Sequence, residues 1–263
     1  MVRIDDAVKI LEEFAPLELS EDFDNCGYKT GSGKLELSGI LVTVDTNRDV
    51  VKEAVEKGCN LIIEHHPSIW KPLKSIDPSR PLNTALIEAI KSDVCIYSAH
   101  TNVDYTNGGL NDTVAYAMGL KNVGYIKTPS SARQGETDKN YTLKEYARKI
   151  SELFSDDNVS IVGDPEKIIK KVAVINGGGG REDALLETME AGNDVFVTAE
   201  VKHSVARLAK DSDYAIIQVG HYSSEKLFMN LIKDLYSKKL PQIQVYCAES
   251  IGDPYNKRGE IWT

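Results

Sequence analysis

The segment LIIEHHPSIW, Leu61 to Trp70, runs from an apolar stretch into two adjacent histidines, His65 and His66, and then a proline. Imidazole binds divalent metals and carries protons near neutral pH, and the whole chain holds only five histidines. Four of them close apolar runs: LIIEHH ends in His65 and His66, VCIYSAH in His100 with Asp104 just beyond, and IIQVGH in His221. VFVTAE ends likewise in Glu200, with the fifth histidine, His203, three residues on. Open α/β sheets gather ligands where their strands run out, so this distribution points to a metal centre rather than to scattered core histidines.

Side chains adjacent on a regular strand face opposite ways. His65 and His66 therefore reach one ion only if the backbone turns at His65, which Pro67 encourages. Otherwise each serves a different member of a metal pair about 3.5–4 Å apart. In GHYSSEK, Glu225 follows His221 by four residues, in the first turn of the next helix, where the helix dipole favours its charge and it is placed to bridge two cations. Two divalent ions bring four positive charges, which Asp104, Glu225 and one bridging hydroxide reduce to roughly one. Such a centre attracts an anion, and phosphate or polyphosphate fits it best.

The run NGGGGRED, Asn176 to Asp183, lies between a strand and a helix, where backbone amides can cradle phosphate. It lacks the third glycine of a dinucleotide fingerprint and the Lys-Ser/Thr of a P-loop, so a tight turn with close helix packing is the preferred reading. Asn111, after Gly108 and Gly109, is expected to cap the next helix and position the Asp104 loop.

The elements that must carry these residues alternate. Apolar spacing predicts helices over Ile4 to Phe14, Asn47 to Gly58, Leu82 to Lys91 and Asn111 to Met118, with strands GILVTVD, LIIEHH and VCIYSAH between them. A second series follows, with helices at Leu143 to Leu153, Glu182 to Ala191, Ser204 to Lys210 and Glu225 to Tyr236. Its strands are VSIVG, KVAVI, DVFVTAE and YAIIQVG, and IQVYCAE closes the chain. Between the two, GYIKTPSSARQGETDK has no apolar period and reads as the domain boundary. The expected fold is α/β, with two α/β domains of related rhythm, mostly parallel sheets and the metal site at strand C-terminal ends. The first domain takes residues 1–125 and the C-terminal return 226–263, the second 126–225.

With 263 residues, 41% of them hydrophobic, the chain can build its cores without disulfides. Its formal charge of −9 and lack of a basic stripe argue against nucleic acid and anionic membranes as partners. Cys26, Cys59, Cys95 and Cys247 show no zinc or disulfide spacing and read as small buried thiols. Acids inside the apolar pattern of MVRIDDAVKILEEF lead to the expectation of neither a signal nor a transit peptide, and no apolar run approaches the roughly 20 residues that span a bilayer. The expected compartment is the cytoplasm.

Taken in order, FDNCGYKTG, LIIEHHPSIWKPLKSI, SAHTNVD with GGLND, GGGG, AEVKH and GHYSSE resemble the NIF-three-like family through nearly the whole chain. Members of that family are called homologues of GTP cyclohydrolase one, type two, and are known as dinuclear-metal proteins. The resemblance implies a two-domain α/β chain assembled as a toroidal homohexamer, with a metal pair facing the inner cavity. It places the metal ligands on His65, His66, Asp104, His221 and Glu225. Glu225 would bridge the ions, and His100 would stand beside them as a catalytic or supporting group. This chain departs from the family in having Ser204 where a second histidine often follows His203, and Glu64 where a small or hydroxyl residue is usual. The expected cofactors are two divalent transition-metal ions, with Zn, Fe, Mn, Co and Ni all suited to histidine and carboxylate donors. The leading function is a metal-dependent hydrolase, with Glu225 and His100 catalytic, acting on an anionic nucleotide or phosphoester; the alternative is a noncatalytic metal-binding assembly or regulatory protein.

Overall fold

The runs ILVT, LIIE and CIYS are fully buried, the pattern of strands covered on both faces of a parallel sheet. In the computed structural model, which describes residues 1–128 and 130–255, they form the centre of the first of two units. That unit takes Met1–Thr106 and Lys226–Gly252, and the second takes Asn107–Glu225, with residues 253–255 grouped with it. The first begins with α1 (Ile4–Phe14), β1 (Gly27–Thr30), β2 (Ile40–Thr43), α2 (Arg48–Glu56), β3 (Leu61–Glu64), α3 (Pro81–Lys91), β4 (Cys95–Ser98) and α4 (Thr101–Tyr105). The second holds α5 (Leu110–Ala117), β5 (Lys121–Tyr125), β6 (Arg133–Thr142), α6 (Leu143–Phe154), β7 (Ser160–Val162) and β8 (Ile168–Val174). It continues through α7 (Glu182–Glu190), β9 (Val195–Thr198), α8 (His203–Asp211), β10 (Ala215–Gln218) and α9 (His221–Glu225). The chain then returns to the first unit with α10 (Leu227–Lys239) and β11 (Val245–Cys247).

The first sheet has the order β1-β4-β3-β2-β11, parallel except for β1 at its edge. Its register aligns Thr43 with Glu64 and Glu64 with Ser98, so β2, β3 and β4 end level with one another. On one face Leu41, Ile62 and Ile96 pack with Val50 and Val51 of α2 and Leu86 of α3. Each such side chain contributes about 1.5–3 kcal/mol by leaving water. Asn47 starts α2 by accepting the amides of Asp49 and Val50.

The second sheet, β5-β6-β8-β9-β10-β7, is mixed, with β8, β9 and β10 parallel and the other pairings antiparallel. Phe196, Ile216 and Ala173 pack there with Leu185 of α7 and Val205 of α8. Thr142 and Glu145 form a reciprocal capping box at the start of α6.

The segment expected to be a boundary, 124–139, contains most of β6. Its inward positions include Arg133 and Thr137, both buried, so the two-residue alternation is invisible to hydropathy. The division instead falls after Thr106, because β5 pairs with β6 in the second sheet. Of the C-terminal return, 226–252 lies in the first unit, and 256–263 fall outside the described residues. Two further expectations need correction. Glu225 closes the short α9 rather than opening a long helix, since α10 begins only at Leu227. Asn111 is not a cap: Gly109 occupies that position, and the buried Asn111 side chain accepts the Asn176 amide at 2.9 Å. No described helix is long and apolar enough to cross a membrane.

Candidate metal centre

Level strand ends bring the first unit's candidates together. The chain leaves β3 after Glu64, and the amides of both His65 and His66 donate to Val44 O, bending the backbone out of its pleat. The two imidazoles consequently lie close, with ring centroids 5.1 Å apart, and the turn, not a straight strand, is the solution adopted. His100, just beyond β4, places its ring 5.0 Å from that of His65 and 5.6 Å from that of His66. One nitrogen from each of His65, His66 and His100 lies within 4.8 Å of the others, close enough to share an ion. Asp104, on α4, sets Oδ1 3.8 Å from His65 Nε2.

In the second unit His221 and Glu225 sit at the two ends of α9, where four-residue spacing puts them on one face, with Nε2 and Oε2 2.9 Å apart. Gly177, φ +55°, lies beneath this pair: a Cβ there would stand 1.8 Å from Glu225 Oε1 and 3.2 Å from His221 Nε2. A Cβ on Gly180 would meet Ala199 O at 2.6 Å. The glycine run is thus a close-packing device that leaves room for the Glu225 carboxylate, in agreement with the tight-turn reading.

The second nitrogen of each ring settles how the first can act. His65 Nδ1 donates to Ala99 O at 3.1 Å, His66 Nδ1 to Asp45 Oδ1 at 2.9 Å, His100 Nδ1 to Asp24 Oδ2 at 2.9 Å and His221 Nδ1 to Glu200 Oε1 at 2.7 Å. Carbonyl and carboxylate oxygens only accept, so the Nδ1 positions carry the protons and a neutral ring presents a lone pair at Nε2. Metal-binding histidines are held in this way by their neighbours. The donor set of imidazole and carboxylate suits borderline divalent ions, so these residues fit the group the sequence implied.

Asp45, Asp24 and the orienting role of Glu200 were missed in the sequence. Asp45 lies two residues past β2 and Glu200 two past β9, so position at a strand end was a usable signal for both. Asp24 sits in an irregular loop that gave none. Burial opposes its charge, yet bonds from His100 and from the Thr101 hydroxyl and amide outweigh that and hold its carboxyl well below the usual range. Glu200 adopts a left-handed φ of 52°, a conformation that costs a non-glycine residue about 1–3 kcal/mol.

Glu64 is fully buried and accepts bonds from the Ser68 amide at 2.7 Å and the Ser98 hydroxyl at 2.6 Å. It ties the end of β4 to the turn carrying the paired histidines, and burial pushes its carboxyl above the ordinary value. His203 and Ser204 are exposed at the start of α8. Cys59 and Cys95 are buried, whereas Cys26 and Cys247 are only half-buried.

A family model described as Duf34/NIF3 (NGG1p interacting factor 3) matches residues 2–254. The chain is 34% identical over 231 residues to a Clostridium acetobutylicum protein called GTP cyclohydrolase 1 type 2 homolog, covering 85% of each chain. It superposes on the crystal structure of a Staphylococcus aureus hypothetical protein with a TM-score of 0.90 and 27% identity, over 97% of this chain and 99% of that one. A Bacillus cereus protein related to NIF3 gives a TM-score of 0.91 at 20% identity, over 97% and 98% of the two chains, a likeness of fold.

Proposed function

This chain belongs to the Duf34/NIF3 family, and from that premise we propose a dinuclear-metal-dependent hydrolase acting on a nucleotide or phosphorylated small molecule. The observation that carries the reading is the set of four imidazoles whose Nδ1 atoms are all engaged by oxygen acceptors, the orientation that fixes a metal-binding histidine. His65, His66 and Asp104 would hold two divalent transition-metal ions together with His221 and Glu225. When bound, such ions lower the pKa of coordinated water and offset charge on a phosphoryl group or ring carbon under attack.

The remaining work falls to residues of the chain. His100 Nε2 accepts the proton released by the attacking water, while Asp24 fixes the tautomer and stabilises the imidazolium that results. Glu225 would supply a carboxylate to the ions. Bound divalent ions would take an anionic oxygen of the substrate as a ligand, and GTP ring opening, suggested by the names of the relatives, is one reaction within this class. The homohexamer implied by the resemblance belongs to the same reading, and sedimentation at six times the 29.1 kDa chain mass tests it.

The deciding experiment measures metal content and turnover on a panel of nucleotides and phosphoesters, for the wild type and Glu225→Ala. Metal-stimulated turnover that is lost on chelation and in Glu225→Ala is expected. Turnover unchanged after metal depletion would overturn the hydrolase, and bound metal without turnover on any substrate would replace it with a metal-binding assembly protein.

A further inference from the structure

The connection from β3 to α3 runs from His65 to Arg80 without helix or strand. Irregular connections longer than roughly 12–15 residues are uncommon in compact domains and usually functional. In a chain of net charge −9 this one carries Lys71, Lys74 and Arg80 against a single carboxylate, Asp77. Asp77 is engaged locally, accepting the Ser79 amide at 2.9 Å and hydroxyl at 2.8 Å. Among the described residues none of the three cations is in an ion pair.

All three cations line one cavity of about 550 Å³, together with Ser68 and Trp70, a volume that suits a small-molecule ligand. The cavity adjoins the histidine cluster through Trp70, whose indole stands edge-on to His100 with centroids 5.3 Å apart. Trp70 is 43% exposed despite its size, and it leans on Phe23 at 6.1 Å. An open indole offers a planar ligand a stacking face that most bases share.

Deepening the hydrolase reading and resting on it, we propose that this loop is the substrate's phosphate subsite. Lys71, Lys74 and Arg80 bind the diphosphate or phosphate end of a phosphorylated compound, Trp70 stacks on its ring, and the reacting group is directed toward His100. Three uncompensated cations match a multiply charged phosphate better than a single carboxylate. Their local field also opposes the repulsion that the acidic chain exerts on any anion.

The test needs neither metal nor turnover, so its failure and that of the hydrolase are separable. Chelator-treated protein is titrated calorimetrically with ADP, adenosine and inorganic pyrophosphate. ADP is expected to bind more tightly than either half, with an affinity that falls as salt rises. Lys71→Ala with Lys74→Ala, and separately Arg80→Ala, should weaken ADP at least tenfold, while Trp70→Ala abolishes its advantage over pyrophosphate. The paired change Lys238→Ala with Lys239→Ala on α10 should leave binding unchanged, and unaltered melting would show that the exposed loop substitutions preserve the fold. No ADP binding at millimolar concentration, or equal affinity in wild type and loop variants, would overturn the subsite.

Discussion

At the scale of single residues, the centre depends on groups that never need to touch an ion. Glu64 bonds both to Ser98 at the end of β4 and to Ser68 in the histidine turn. Glu64→Gln keeps an acceptor oxygen for both donors and should stay within about 1 kcal/mol of wild type, whereas Glu64→Ala leaves them unpaired beside a cavity and should cost about 2–4 kcal/mol. Urea unfolding distinguishes the two. Glu200 gives the opposite trade. Its left-handed backbone favours glycine, so Glu200→Gly should hold stability level or raise it by up to about 1 kcal/mol. The same change frees His221 Nδ1 and should weaken metal binding about 10–100-fold in a chelator competition. The histidines were legible because metal-capable residues at strand ends stand out against apolar runs. Asp24 was not, because a carboxylate in an irregular loop looks like any solvated acid until the fold brings His100 to it.

Individual elements show the same contrast between patterned and unpatterned sequence. The parallel strands β2, β3 and β4 were readable as apolar runs, and their common edge followed from that pattern. β6 was not, since Arg133 sits fully buried in an ion pair with Asp112 where an aliphatic residue would have signalled a strand. Asn111 likewise looked like a helix cap by position, and only the fold shows its side chain spent on the glycine loop. The link between α2 and the segment after β11 carries a pH signature. Burial works against the charge of Glu53, but bonds from Lys57, from the Ser250 hydroxyl and from the Ser250 and Glu249 amides outweigh it and bring its carboxyl down to about 2. A carboxyl lowered on folding stabilises fully above its ordinary value near 4.5 and loses that contribution as pH falls toward 2. Glu53→Gln should therefore cost about 1–3 kcal/mol at neutral pH, and the gap in urea midpoint between the variant and wild type should close on acidification through this window. A gap independent of pH would show that the carboxylate charge is not what binds the segment.

For the whole molecule, the consequence of the proposed centre is linkage between metal and stability. Ions bound to the folded chain and not to the unfolded one should stabilise it. Saturation at about a hundred times the dissociation constant contributes about 2.7 kcal/mol, which should raise the melting temperature by roughly 5 °C or more in calorimetry, reversibly with chelator. No shift would mean that the folded chain holds no such ion. The most direct test of the centre is anomalous diffraction from crystals grown with a divalent transition metal. The expected result is two peaks roughly 3.5–4 Å apart, each about 2.0–2.2 Å from nitrogen or oxygen donors drawn from His65, His66, Asp104, His221 and Glu225. Peaks located on other residues, or no ordered ion at these five, would contradict it.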